Sequence, residues 1–180
     1  MKVLRTRFML HPSVLMGLLC LLVACDFSDT KKTSAEAILQ SPPFATVTDS
    51  IRRFPSDATL FARRALLLSQ HDHHELATSD YLRAYELQPE EPMALQYVNN
   101  LLLVNRHRDA ISFLKQCLQT WPGNIDMHRR LSEIYEQTGQ TAKAVQQYDE
   151  LLRHDSLDFE AWYNKGILLS QLKDTAGAIQ

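Results

Sequence analysis

Apolar residues recur along most of the chain in steps of three and four, which is the spacing of one face of an α-helix. From Ile125 to Gln137 the pattern predicts a helix, Thr138-Gly139 breaks it, and Thr141 to Arg153 predicts a second. Val47, Ile51 and Phe54 predict a short amphipathic helix ahead of these. A different pattern opens the chain. Lys2, Arg5 and Arg7 precede an uninterrupted apolar run from Val14 to Val23. That run is shorter than the roughly 20 residues a membrane-spanning helix needs.

Laid over one another, four stretches share one internal spacing. The first holds Phe61, Arg64, Ala65, Leu68, Ala77, Tyr81 and Pro89, and the second Ala94, Tyr97, Val98, Leu101, Ala110, Leu114 and Pro122. The third holds His128, Leu131, Ser132, Tyr135, Ala144, Tyr148 and Ser156, and the fourth Trp162, Lys165, Gly166, Leu169 and Ala178. They start 33, 34 and 34 residues apart. The alanines at 77, 110, 144 and 178 mark where two helices must approach closely. Gly139 and Asn105 occupy the same place in their repeats and tolerate the left-handed backbone that ends a helix. A period of this length points to stacked helical hairpins, each burying little alone.

This pattern resembles the tetratricopeptide repeat, whose signature is W-x2-L-G-x2-Y, then A-x3-F, then P. The resemblance runs from about Pro55 to Gln180. It departs where Arg64 and Lys165 replace the leucine and Ser156 replaces the proline. It implies an all-α fold, a right-handed superhelical solenoid of antiparallel helix pairs. The expected organisation is a capping helix over 44–55, repeats over 56–89, 90–122 and 123–158, and an incomplete repeat over 159–180. Trp162, Ile167 and Leu168 anticipate a second helix against them.

The N-terminal pattern is that of a secretory signal. Leu22-Val23-Ala24-Cys25 at its end resembles the lipobox of bacterial lipoproteins. That resemblance implies cleavage after Ala24, lipid on Cys25, and a domain outside the cytoplasm on a membrane of the cell envelope. Asp26 after the lipidated position resembles an inner-membrane retention signal, although bacterial groups sort differently. Residues 25–43 are mostly polar, end in Ser-Pro-Pro, and suggest a flexible tether.

Composition narrows the function. Of 180 residues, 45% are hydrophobic and only five are glycine, so a helical core can form. The formal net charge of −2 becomes more negative once Lys2, Arg5 and Arg7 are removed. Nothing in that balance draws the domain to nucleic acid. Of the three cysteines, Cys20 falls in the signal, Cys25 in the lipobox, and Cys117 in a slot for a small buried residue. His71-Asp72-His73-His74-Glu75 is the densest set of metal-binding residue types. It falls at a turn where neighbouring side chains point apart, and no metal or other cofactor is expected. No H-E-x-x-H, G-x-S-x-G or phosphate-binding glycine loop occurs, so no enzyme activity is expected.

The tetratricopeptide resemblance leaves a surface. In that family the first helix of each repeat lines a concave groove for peptides or partner helices. The row implied here is Arg63, Gln96, Arg130 and Asn164, with Leu66, Asn99, Glu133 and Ile167 one turn on. The family's carboxylate clamp would fall on Leu95, Asn99, Arg130, Glu160 and Asn164. Both lysines are missing from it and Glu160 reverses a charge, so that clamp is not expected. The expected function is a membrane-anchored scaffold binding a protein or peptide partner in an envelope complex. The alternative is the interaction module of a longer enzyme.

Overall fold

The computed structural model describes residues 34–177, with side chains as far as Lys173. The signal segment, Cys20, the lipobox with Cys25, and Asp26 lie outside the described residues. The chain divides into two units, Met1–Asp49 and Ser50–Gln180.

In the first unit residues 34–39 are helical, within the segment expected as a tether. Ser41 Oγ closes this turn by donating to the Ile38 carbonyl at 2.7 Å. Helix α1, Ala45–Arg53, starts here and ends in the second unit. Its Val47 and Ile51 are buried as their spacing predicts, and Phe44 just ahead of it is buried too. Phe54 departs from the prediction: it lies beyond the helix and is 61% exposed. Pro55 explains the break, because the residue before a proline is disfavoured in helical geometry.

The second unit continues with helices α2 (Ala58–Gln70), α3 (His74–Leu87), α4 (Glu91–Leu103), α5 (His107–Thr120), α6 (Ile125–Gln137), α7 (Thr141–His154) and α8 (Phe159–Gly177). Consecutive helices pack on one another as an all-α solenoid of antiparallel pairs, α2/α3, α4/α5 and α6/α7, with α8 following.

Each pair is joined by the same turn. Asp72, Asn105 and Gly139 take left-handed φ values of 62°, 59° and 69°. The residue after each donates back five positions: His73 N to Leu68 O at 2.9 Å, Arg106 N to Leu101 O at 2.8 Å, and Gln140 N to Tyr135 O at 2.7 Å. These bonds satisfy carbonyls that the helix end would otherwise orphan. The corresponding place in the fourth repeat holds Lys173, and there the helix runs on to Gly177. Lysine gains nothing locally from left-handed backbone, whereas Asn and Asp can hydrogen-bond there and glycine has no Cβ to clash.

Entry to the first helices is also periodic. Asp57 accepts from Thr59 N at 2.9 Å, Asn124 from Met127 N at 2.8 Å, and Asp158 from Ala161 N at 2.9 Å. These caps satisfy donors at the helix start. At the matching place in the second repeat Glu90 makes no such bond, and Pro92 supplies the preset φ instead.

Ala77, Ala110 and Ala144 are fully buried, as the close-approach argument requires. Leu68, Leu101, Leu114, Leu131 and Leu151 fill the layers around them. Cys117 is buried, with its Sγ 3.7 Å from the Tyr85 hydroxyl. Burial pushes its thiol up from the ordinary value, away from the reactive thiolate.

Candidate interaction groove

Side chains on α4 and α6, the first helices of the second and third repeats, face a shared cavity of about 330 Å³. It is lined by Pro92, Leu95, Gln96 and Asn99 from α4, and by Asp126, Arg129, Arg130 and Glu133 from α6. Helical spacing produces this set directly. Residues 92, 95, 96 and 99 share one face of α4, and 126, 129, 130 and 133 share one face of α6. Of the predicted row, Gln96, Asn99, Arg130 and Glu133 are therefore brought together.

Asn164 lines a separate cavity of about 220 Å³, with Glu136, Thr141, Ile167, Leu168 and Gln171. Arg63 and Leu66 are exposed on α2 and line neither cavity.

Of the charged groups in the central cavity, Arg130 and Glu133 are committed to each other, and Arg129 to carboxylates outside it. Arg130 Nη1 donates to Glu133 Oε2 at 2.6 Å. Arg129 reaches α8, where its Nη2 donates to Asp158 Oδ2 and its Nη1 lies 3.6 Å from Glu160 Oε2. The Ala161 N–H that Asp158 accepts, with Arg129 beside it, holds this carboxyl below its ordinary value against the opposing effect of burial. Two arginines and two carboxylates, Asp126 and Glu133, line the cavity, so it carries no strong net sign. Gln96 and Asn99 add two amides, each able to donate and accept. Leu95 and Pro92 supply apolar wall.

Arg129 was not among the residues the spacing singled out. Its signal lay in the following repeat, where Asp158 and Glu160 sit 29 and 31 residues on. A periodic row of donors does not expose such an interrepeat ion pair.

Other candidates disperse. Within His71-Asp72-His73-His74-Glu75, His71, Asp72 and Glu75 are exposed, and Ser69 Oγ lies 3.2 Å from His74 Nδ1. Among the described residues no three His, Cys, Asp or Glu side chains converge on a common point for a metal. A larger cavity of about 580 Å³ opens at the turn ends of the second and third repeats, lined by Asn105, Arg106, His107, Arg108, Asp109, Ile111, Thr138 and Gln140. Arg106 there is tied to Asp109 at 2.6 Å.

Comparison with known proteins bears on fold and sequence separately. Residues 101–172 match the tetratricopeptide repeat family. No curated protein sequence matches the chain. Among solved structures the chain is similar to MamA from Desulfovibrio magneticus RS-1, at 14% identity and TM-score 0.60 over 88% of each chain. It is similar to a tetratricopeptide repeat protein from Parabacteroides merdae, at 19% identity and TM-score 0.59, over 65% of this chain and 47% of that one. It is also similar to the first TPR of Spaghetti (RPAP3), solved with the HSP90 peptide SRMEEVD. That match has 12% identity and TM-score 0.56, over 65% of this chain and 94% of the other. At these identities the similarity is one of fold.

Proposed function

Because residues 101–172 belong to the tetratricopeptide repeats and the same unit recurs around them, we propose that this chain is a protein-interaction scaffold that seats its partner between α4 and α6. The observation carrying this reading is the cavity lined by Gln96, Asn99, Arg130 and Glu133, where amides and a balanced ion pair converge beside apolar wall. Such a lining reads a peptide or helix through its backbone amides and small polar groups. A strongly acidic tail would meet Asp126 and Glu133, and a strongly basic one Arg129 and Arg130. The peptide-bound RPAP3 repeat supports this reading as an example of the same fold holding a short segment.

Arg130→Ala tests the site. For a partner recovered by crosslinking and pull-down, loss of one charge-assisted hydrogen bond is expected to lower affinity about tenfold or more. The helical circular dichroism should not change, because Arg130 is only half-buried on its helix. Unchanged affinity would move the site elsewhere.

We further propose that the scaffold is anchored to a bacterial envelope membrane through lipid on Cys25 and works outside the cytoplasm in an envelope complex. The support is the Leu22-Val23-Ala24-Cys25 motif at the end of the apolar run. Two or three acyl chains, at about 0.8 kcal/mol per buried methylene, hold a protein stably on a bilayer. Cys25→Ala is expected to leave an unlipidated precursor. An unmodified Cys25 found by mass spectrometry in the mature membrane fraction would refute the anchor.

A further inference from the structure

The outer face of α5 departs from the balanced charge of the groove. The cavity at the turn ends runs into a second of about 430 Å³ along α5, lined by Arg108, Ile111, Ser112, Lys115, Gln116 and Gln119. Arg108 and Ile111 line both, so the two form one strip. Arg108 and Lys115 stand two helical turns apart on one face, about 10 Å along the axis. Lys143 of α7 joins them at the rim, because its Nζ donates at 2.7 Å to Gln140 Oε1 and Gln140 lines the larger cavity. Among the described residues none of these three cations forms an ion pair. The fourth cation, Arg106, is tied to Asp109, with Glu75 adding a weaker attraction. From Ala110 to Ile125 the sequence holds no carboxylate. Amides and hydroxyls, all able to donate to an anion, make up most of the remaining wall. A chain of net charge −2 thus gathers three uncommitted cations on one side.

We propose that this strip lies against the anionic phospholipid headgroups of the membrane that carries the chain, a reading that rests on the Cys25 anchor for the membrane itself. A folded protein partner docks through a core of buried aromatic or aliphatic anchors. Of the residues lining the strip only Ile111 is apolar, and it is half-buried already. Headgroups ask for less, since the negative surface of a leaflet attracts basic side chains without any apolar contact. Acyl chains hold a protein on a bilayer but leave it free to turn. Arg108, Lys115 and Lys143 supply the missing orientation by drawing the outer side of α5 toward the lipid. Contact through the second helices leaves the cavity lined by the first helices, α4 and α6, open to a partner.

The test uses the chain as bacterial cells process it, reconstituted in vesicles of phosphatidylcholine with or without phosphatidylglycerol. A photoreactive residue replaces Gln119 in the strip or Gln96 in the groove, both exposed. The chain should float with both kinds of vesicle. Gln119 should gain the mass of phosphatidylglycerol where that lipid is present, and Gln96 should not. Arg108→Gln with Lys115→Gln should lower the Gln119 yield about tenfold or more and leave flotation unchanged. Salt near 1 M, where charges are screened beyond about 3 Å, should lower it as well. Arg63→Gln with Lys173→Gln removes two exposed cations elsewhere and should change nothing. A chain that floats with both vesicles but gives no lipid adduct at Gln119, or an adduct indifferent to the double variant, overturns the proposal and leaves the anchor standing. Flotation with phosphatidylglycerol vesicles alone, with the adduct at Gln119, supports the strip and refutes the anchor. Flotation with neither refutes both. An acidic protein captured at Gln119 in cells in place of lipid overturns the proposal too.

Discussion

Arg64→Met is expected to destabilise the fold by about 3–5 kcal/mol, the cost of leaving one partner of a buried ion pair alone. Arg64 occupies the slot where the repeat signature has leucine. Its Nε donates to Asp80 Oδ2 at 2.6 Å and its Nη2 to Asp80 Oδ1 at 2.8 Å. Both residues are buried. Burial pushes the Asp80 carboxyl up from its ordinary value, against the pull of Arg64. Without Arg64 that push is unopposed. The charged carboxylate then carries the penalty above its raised folded-state value, and the penalty fades as pH falls toward 3.8. The deficit of the variant against the natural chain, read by urea denaturation, should therefore narrow between pH 7 and pH 4. A deficit of the same size at both would contradict this origin.

The second repeat supplies the compensating change. Tyr97 and Phe113 stand where the first repeat has Arg64 and Asp80, and their rings meet edge to face at 4.7 Å. One pair of slots is thus filled once by an ion pair and once by two aromatics. Arg64→Tyr with Asp80→Phe transplants the second solution into the first repeat. Replacing a buried ion pair by apolar residues of fitting volume is often neutral or stabilising. The double variant is expected to recover most of what Arg64→Met loses.

Phe113→Ala is expected to cost about 3 kcal/mol and to loosen the first repeat from the rest. Phe113 on α5 touches Tyr97 within its own repeat and Tyr85 of the first repeat, with ring centroids 4.9 Å apart in the second contact. Stability in a repeat array is a sum of repeat terms and nearest-neighbour interfaces. Losing an interface ring therefore lowers cooperativity as well as total stability. Hydrogen exchange should quicken over residues 58–87 more than over 125–154. Equal acceleration in both segments would show that Phe113 acts through the core of the array as a whole.

Much of this architecture was legible in the sequence because it depends on local rules. The alanines at close approaches, the left-handed sites at Asn105 and Gly139, and the steps of three and four each follow from backbone geometry within one repeat. Asp72 performs the same turn in the first repeat, but its place among histidines hid it behind a question about metals. What escaped was mostly pairwise and distant in sequence. Arg64 stands out as a broken signature position until Asp80, 16 residues on, is placed beside it. Arg129 gains its meaning from Asp158 in the next repeat. The spacing found the row of Gln96, Asn99, Arg130 and Glu133. It did not show that Asp126 and Arg129 share the cavity and balance its charge. In the fourth repeat the period itself misled, because Lys173 lacks the turn chemistry of its counterparts. Leu168, expected to await a further helix, is already buried.

The groove is tested most directly by photocrosslinking from both sides of the array in living cells. A photoreactive residue at Gln96, on the wall of the cavity between α4 and α6, should crosslink a distinct partner protein. The same group at Gln116, exposed on the second helix of that repeat, should not. Crosslinks from Gln116 with none from Gln96 would contradict the scaffold as described and place its working surface on the outer helices.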